Sequence, residues 1–481
     1  MLTPLAHPTY RRLFAAQVIA LIGTGLTTIA LTLLAYDLAG DNAGAVVGFA
    51  LALKMVAYVG VSPIITSVAH RLPRRPLLVS LDLMRASVVL LLPFVDQVWQ
   101  IYVLIFVLNA CSAGFTPTFQ ATIPDILPDP PAYTRALSLS RLAYELENLL
   151  SPALAALALA LISYQGLFVA NGAAFLASAL LVLSVTIPSA PAAARAGSAL
   201  AKLTFGTRAY LATPRLRGLL ALNLGVAAAS AMVIVNTVVY VRDGFGREAT
   251  DVAIALGASG AGAMIAALVL PAVLDRIDDR PIMLAGGALI SAGLGAGALT
   301  QSFGALLAVW FVLGVGLSLA QTPAGRLLQR SASSTDRPAL FSAQFSLSHG
   351  CWLVTYPLAG VLGGAIGLSA TSALLAALAT GAVLVAARAW PAHDPEVIEH
   401  THESQEHVHL HSHDAHHDHH PDGDEPAGTD THSHTHRHRQ QVHAHAFRID
   451  LHHPRWPTTP RRPGRADAPV AGRRSAAAEE D

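Results

Sequence analysis

Between residues 12 and 390 the chain alternates long apolar runs with short polar breaks, and beyond residue 390 the apolar runs stop. A run of 18 or more apolar residues is long enough to cross a bilayer as a helix. Counting from the breaks predicts twelve such helices, near 12–36, 44–69, 77–95, 98–120, 136–162, 165–187, 217–241, 251–274, 281–300, 303–322, 338–363 and 367–389. Helices are required because backbone groups in lipid must be satisfied within the segment, and the short alternating strands of a barrel are missing from the pattern. The first run, Leu13 to Ala35, is too long for a signal-peptide core and is expected to be a retained span.

Charge gives the spans a direction. With the N-terminus in the cytoplasm, the inner segments carry Arg11, Arg12, Arg71, Arg74, Arg75, Arg135, Arg276, Arg280, Arg326, Arg330 and Arg337, among others. The outer loops carry only Arg242 and Arg247. Such an imbalance orients membrane proteins with the basic side inward, and an even number of spans then returns the C-terminus to the cytoplasm. Only 13% of residues are charged, against about a quarter in a soluble domain. The formal net charge of zero offers nothing to nucleic acid. The two cysteines, Cys111 and Cys351, both sit inside apolar runs, which excludes a disulfide framework and a thiolate zinc module.

The two halves of the apolar region repeat. PTYRRLFAAQVIAL from Pro8 aligns with PRLRGLLALNLGVA from Pro214, placing Gln17 on Asn223 and Asp37 on Asp243. HRLPRRPLL from His70 aligns with DRIDDRPIML from Asp275, and SPALAALALALI from Ser151 with YPLAGVLGGAIG from Tyr356. The offset stays at 205–206 residues throughout. A duplicated set of six spans is the mark of a transporter whose binding site lies at mid-membrane between the repeats. The expected organisation is a six-helix bundle over 1–190, a cytoplasmic linker over 191–215, a second bundle over 216–390, and a tail over 391–481. The expected fold is therefore an all-α membrane protein, with twelve transmembrane helices in two pseudo-symmetric six-helix bundles and a disordered C-terminal tail.

These features resemble the major facilitator superfamily over residues 1–390. DRIDDRPIML is similar to that superfamily's basic loop between the second and third spans of each half. In the first half His70 stands where an aspartate is usual. SPALAA is similar to a weakened antiporter Gly-Pro motif with Ser151 in place of glycine, and this resemblance implies export in exchange for another ion.

Ionisable groups at membrane depth are functional candidates by default. The fifth span reads SLSRLAYELENLLSP. On its helix Arg141, Glu145 and Asn148 share one stripe, whereas Tyr144, Glu147 and Ser151 share another. Arg141 and Glu145 at i,i+4 form a structural pair, and Asp82 with Arg85 at i,i+3 forms a second. Asp275 and Arg276 of the basic loop are expected to be structural as well. Glu147 has no local partner and is the first candidate for alternating between a proton and a cation, with Glu145 second. The eleventh span reads FSAQFSLSHGCWLVTYPLAG and holds His349, the one histidine well inside a span. The repeat places Tyr144 on His349, Glu147 on Trp352 and Ser151 on Tyr356. The resemblance to the superfamily, in whose fold the fifth and eleventh spans both border the central cavity, implies that Glu147 and His349 meet across the interface, with Tyr356 helping to orient the imidazole. Cys351 points away from His349 unless the helix breaks at Gly350.

The tail carries 19 of the chain's 22 histidines. HVHLHSHDAHHDHH supplies His407, His409, His411, His413, His416, His417, His419 and His420. Further on stand His432, His434, His436, His438, His443 and His445. The composition buries too little apolar surface to fold alone. Neutral imidazoles at H-x-H spacing suit borderline divalent metals such as Ni(II), Co(II), Zn(II) and Cu(II).

SRLAYELENLLSP, SHGCWLVTYPLAG and this tail together resemble the bacterial nickel-resistance permeases of the superfamily. The resemblance implies efflux of Ni(II), sometimes with Co(II), from the cytoplasm across the bacterial inner membrane. Protons would be the coupling ion, the metal would be substrate and tail ligand, and no enzymatic activity or cofactor is implied. The alternatives are an exporter of an organic solute with a metal-sensing tail, or a membrane-anchored metal store that does not transport.

Overall fold

The computed structural model describes residues 2–39, 43–69, 72–188, 198–394, 397–402, 406–411, 432–437, 441–449 and 456–457. The first half supplies α1 (Pro8–Ala39), α2 (Ala43–Ala69), α3 (Arg74–Leu91), α4 (Val98–Ile126), α5 (Pro130–Leu159) and α6 (Tyr164–Leu183). The second supplies α8 (Pro214–Val239), α9 (Ala249–Leu274), α10 (Asp279–Gly297), α11 (Phe303–Gln321), α13 (Arg337–Ile366) and α14 (Leu368–Ala389). These are the twelve expected spans, displaced at most by a turn or two at their ends. Two shorter helices were not expected. α7 (Ala199–Ala212) occupies the linker, capped by the Ser198 hydroxyl accepting from the Ala201 amide at 3.2 Å, and α12 (Ala324–Ser331) lies between α11 and α13.

Among the described residues, nine helices are apolar enough over their length to cross a membrane. The three long helices that fall short do so for visible reasons. α5 carries Arg135, Arg141, Glu145 and Glu147, α13 carries the polar stretch around His349, and α10 is glycine-rich and opens on Asp279 and Arg280. Large apolar side chains such as Leu157, Leu180 and Val361 stay exposed on the outside of the bundle, the face a bilayer would cover.

The packing shows the duplication directly. In the first half α1 packs on α6, α2 on α4, α3 on both α4 and α6, and α1 on α5. The second half repeats each contact as α8 on α14, α9 on α11, α10 on both α11 and α14, and α8 on α13. Across the interface α2 packs on α13 and α5 on α9, which are again the same pair of positions exchanged. Pro8 and Pro214 open α1 and α8 at equivalent places, where a missing amide hydrogen costs nothing. Each half buries its own apolar clusters, one around Trp310, Met232 and Leu313 in the second half, others around Phe168 and Tyr10 in the first. Close helix contact needs small residues at some crossings. At Gly314 of α11 any side chain would run into the Ser259 carbonyl of α9.

Residues from His393 onward form a separate unit. Its described parts include β1 (Val397–His402), β2 (Glu406–His411), β3 (His432–Arg437) and β4 (Gln441–Ala446). β1 pairs with β4 and β2 with β3, both antiparallel. Alternation of histidine with other residues is also a period-two pattern, which a strand can use. His413, His416, His417, His419, His420 and His438 lie outside the described residues.

Candidate functional site

The polar groups of α5 divide into two sets, and the structure gives each a different setting. Arg141 pairs with Glu145 at 2.5 Å and also donates to the Gln321 side chain of α11 at 2.5 Å. This set ties the first half to the second. Glu147 and Ser151 instead turn toward α1. Ser151 donates to the Glu147 carboxylate at 3.4 Å. Gly25 of α1 leaves the space for it: a Cβ there would collide with the Ser151 hydroxyl and land 2.9 Å from Glu147 Oε1. Gln17 of α1 accepts from Ser140 at 3.2 Å. The Asn148 side chain lies outside the described residues.

From the other half, α13 runs unbroken through Gly350, so His349 and Cys351 do not converge. His349 Nδ1 is 2.7 Å from the Phe345 carbonyl, and the Cys351 thiol donates to the Leu347 carbonyl at 3.5 Å. The backbone of the preceding turn therefore orients the imidazole. Tyr356, expected in that role, packs against the apolar cluster of the second half. The imidazole is walled by Phe345, Tyr58 and Trp352, with ring centroids at 4.2, 4.7 and 5.0 Å. Trp352 Nε1 and Thr355 Oγ1 are buried without a hydrogen-bond partner among the described residues.

Glu147 and His349 do not touch each other among the described contacts, contrary to the expected meeting. The physical reason is the crossing pattern: α13 packs on α2, and α5 packs on α9. Lys54 of α2 lies on the His349 side: its ammonium is 5.6 Å from the centroid of the Tyr58 ring, which meets the imidazole edge-on. The imidazole and the ammonium, one from each half, thus flank a centre lined by aromatic rings.

That centre is closed on one side. Asp125 at the end of α4 pairs with Arg74 of α3 and, across the interface, with Arg337 at the start of α13. Arg74 also donates to the Ser334 carbonyl at 3.2 Å. Arg326 of α12 pairs with Asp279 at 3.1 Å and donates to Thr134 of the first half at 3.1 Å. Deeper in, Ser62 and Ser342 are hydrogen-bonded at 2.9 Å, and Ser346 donates to the Val59 carbonyl at 2.5 Å. These hydrogen bonds between the halves lie in the part of their helices nearer the arginine-rich face. The described conformer is sealed there.

Other expected pairs have simpler settings. Asp82 and Arg85 are ion-paired inside the first half, where Ser178 donates to Asp82 at 2.8 Å and the Arg85 guanidinium sits between the Phe115 and Phe175 rings. Asp275 and Arg276 are exposed, and the ion pair of that loop is formed by Asp279 with Arg326 instead. His70 and Arg71 lie outside the described residues. In the first half the carboxylate paired with the basic loop is Asp125, which holds Arg74 and Arg337.

In the tail the backbone register sets His407 opposite His436, His409 opposite His434, His411 opposite His432, and His400 opposite His443. Opposed residues in such ladders stand about 5 Å apart at Cα, and those two apart along a strand share a face. Among the described residues no cluster of three or more His, Cys, Asp or Glu side chains could hold a metal.

Lys54, Tyr58 and Asp125 were not singled out from the sequence. Lys54 carried a usable signal, because it is one of only two lysines in the chain and sits inside an apolar run.

Comparison with known proteins accords with this architecture. Residues 13–246 and 219–429 match the Major Facilitator Superfamily. The uncharacterized MFS-type transporter YfiS of Bacillus subtilis (strain 168) is 24% identical over 391 residues, which is 78% of this chain and 90% of that protein. Among solved structures, the human organic anion transporter MFSD10 (TETRAN) superimposes with a TM-score of 0.68 at 12% identity, covering 79% of this chain and 98% of its own. A bacterial homologue of the iron transporter ferroportin, in its outward-facing state, gives a TM-score of 0.65 at 14% identity, with 79% and 99% coverage.

Proposed function

The chain belongs to the Major Facilitator Superfamily and is thus a membrane transporter and not an enzyme, and from that premise we propose that it exports a divalent transition-metal cation of the Ni(II) class in exchange for protons. The observation that carries this reading is a pair of metal-compatible groups from opposite halves: Glu147 of α5, which accepts from Ser151, and His349 of α13, held by the Phe345 carbonyl and walled by aromatic rings. A carboxylate and a neutral imidazole are the donors a borderline divalent ion takes, with water completing its shell. Glu147 serves as the group that holds either the cation or a proton, and so prevents the carrier from crossing empty-handed. His349 contributes Nε2, since Nδ1 faces the Phe345 carbonyl. Seal and centre together suit alternating access, in which the two halves rock about a fixed site.

The tail supports the same cargo. Its histidine-rich composition suits a borderline divalent ion, and the charge imbalance of the spans expects the C-terminus on the cytoplasmic side, from which an exporter loads. A tethered ligand of this kind raises the local ion concentration without forming part of the path. The setting is then the bacterial inner membrane, with both termini inside.

A second reading has one observation in its favour. The aromatic wall of Tyr58, Phe345 and Trp352 beside the Lys54 ammonium would also suit an organic anion.

Substitution at His349 separates the two. In inverted vesicles at matched protein levels, His349→Ala is expected to lower the rate of Ni(II) uptake by roughly 10- to 100-fold, the scale of losing a metal-site group. Cys351→Ala is expected to stay within about twofold, because its thiol is turned to the Leu347 carbonyl. Wild-type Ni(II) rates in His349→Ala would remove the imidazole from the path and favour the organic solute.

A further inference from the structure

Serine and threonine hydroxyls on these helices often turn back to the backbone carbonyl one turn earlier, as those of Thr24, Thr118 and Ser291 do. Ser151 departs from that habit. Its hydroxyl donates instead to a side chain one turn earlier, reaching Glu147 Oε1 at 3.4 Å. Among the described residues it is the one hydrogen-bond partner of that carboxylate. Ser151 itself is buried, with 6% of its surface exposed. A carboxylate has two oxygens, so a donor held on Oε1 leaves Oε2 for a second partner.

The room for this hydroxyl is made by α1. A methyl group at Gly25 would fall on the Ser151 hydroxyl and within 2.9 Å of Glu147 Oε1. Glycine inside a helix is unfavourable relative to alanine, so the gap is kept against local preference. Gly23, two positions earlier on α1, meets a different neighbour: a methyl there would run into the Asn171 side chain of α6. In the second half the positions equivalent to Gly25, Glu147 and Ser151 are Ala231, Trp352 and Tyr356. The gap, the hydroxyl and the carboxylate therefore occur together in one half alone.

We propose that Ser151 is a positioning residue for Glu147, and that Gly25 is the residue that admits its hydroxyl to the carboxylate. The consequence for transport rests on the proposed metal export; the sharing of space between α1 and α5 does not. With Oε1 held, the carboxylate keeps one orientation and presents Oε2 to the cargo. Gly25→Ala breaks this indirectly. The added methyl evicts the hydroxyl, which can then turn to the backbone carbonyl one turn earlier as its counterparts do. Gly25→Ala and Ser151→Gly thus remove the same contact, one by crowding and one by deletion.

Two exchanged pairs separate a positioning hydroxyl from mere packing. Gly25→Ala with Ser151→Gly returns volume to the crossing without a hydroxyl. Gly25→Ser with Ser151→Gly returns both, delivered from the opposite helix. The full chain is purified for thermal unfolding and placed in inverted vesicles, at matched protein levels, for Ni(II) uptake. The alanine exchange is expected to recover at least half of the summed fall in midpoint of its two single changes. Strictly additive falls would overturn the sharing of space. KM for Ni(II) is expected to rise about tenfold in Gly25→Ala, in Ser151→Gly and in the alanine exchange, with the maximal rate within about threefold. That is the lower end of the range for groups that support a metal ligand. The serine exchange is expected to bring KM back to within about threefold of wild type. Equal KM in the two exchanges would reduce the crossing to packing and overturn the positioning role. So would a tenfold rise in Gly23→Ala, which is expected to keep KM within about twofold. If Gly25→Ala does not accumulate, Ser151→Ala deletes the hydroxyl alone, and a wild-type KM there would also overturn the role. A wild type that moves no Ni(II) would overturn the metal reading and the positioning role together, and the unfolding series would still decide the sharing of space.

Discussion

Glu147→Gln is expected to abolish metal export while leaving the protein inserted and folded. Glutamine keeps the size and the Ser151 contact but can neither hold a cation nor exchange it for a proton. The expected loss is about 100-fold or more in initial rate, beyond the 10- to 100-fold seen when only a supporting group of a metal site is removed. Glu145→Gln is the control on the same helix. Glu145 is engaged by Arg141, which also holds Gln321 across the interface, so its loss is expected to loosen the seal and to slow transport only severalfold. Uptake of Ni(II) into inverted vesicles, with protein quantified by immunoblot, ranks the two. The reverse ranking would move the coupling carboxylate to the other face of α5.

Asp125→Ala is expected to unlatch the arginine-rich face. Asp125 holds two guanidinium groups at once, Arg74 from its own half and Arg337 from the other, and all three side chains are about nine-tenths buried. Removing one partner of a buried pair costs about 3–5 kcal/mol, because the other charge is left uncompensated. In a protein that alternates between two conformers, that cost falls on the sealed one and shifts the population toward its counterpart. Cys351 offers a native reporter on α13. In a Cys111→Ala background, alkylation of Cys351 by an impermeant maleimide from the arginine-rich side is expected to rise at least about tenfold, since a shift of 1.4 kcal/mol already suffices for that factor. Arg337→Gln is expected to give the same increase. Unchanged labelling with lowered thermal stability would mean that the pair is scaffolding and not a latch.

Most of the fold was legible because lipid forces a simple code. Apolar runs of span length must be helices, and a constant offset between three aligned stretches implies two equivalent bundles. The exceptions are informative. α5 and α13 are among the least apolar of the twelve, and they are polar because they carry the centre and the seal. α7 and α12 were missed because short helices outside the bilayer leave no long run.

The candidate site was only half legible. Periodicity separated Tyr144, Glu147 and Ser151 from Arg141 and Glu145 on α5, since positions on one helix follow from its pitch. It could not say which helices cross at the interface. The pairing of α13 with α2 is a tertiary fact, and it brings Lys54 and Tyr58 to His349, where a direct contact with Glu147 had been expected. Asp125 escaped notice for the same reason, because its partners come from residues 51 and 212 positions away.

The measurement that tests the account most directly is metal flux itself, followed with a proton readout. Inverted vesicles holding the full chain, and others lacking residues 393–453, would be given Ni(II), Co(II), Zn(II) and Cu(II) in parallel under an imposed proton gradient. The account predicts inward movement of Ni(II) with proton release from the lumen, abolished when the gradient is collapsed. The shortened chain should match the full chain at saturating metal and fall behind it at low metal. Gradient-dependent movement of none of the four ions, at verified insertion, would contradict it.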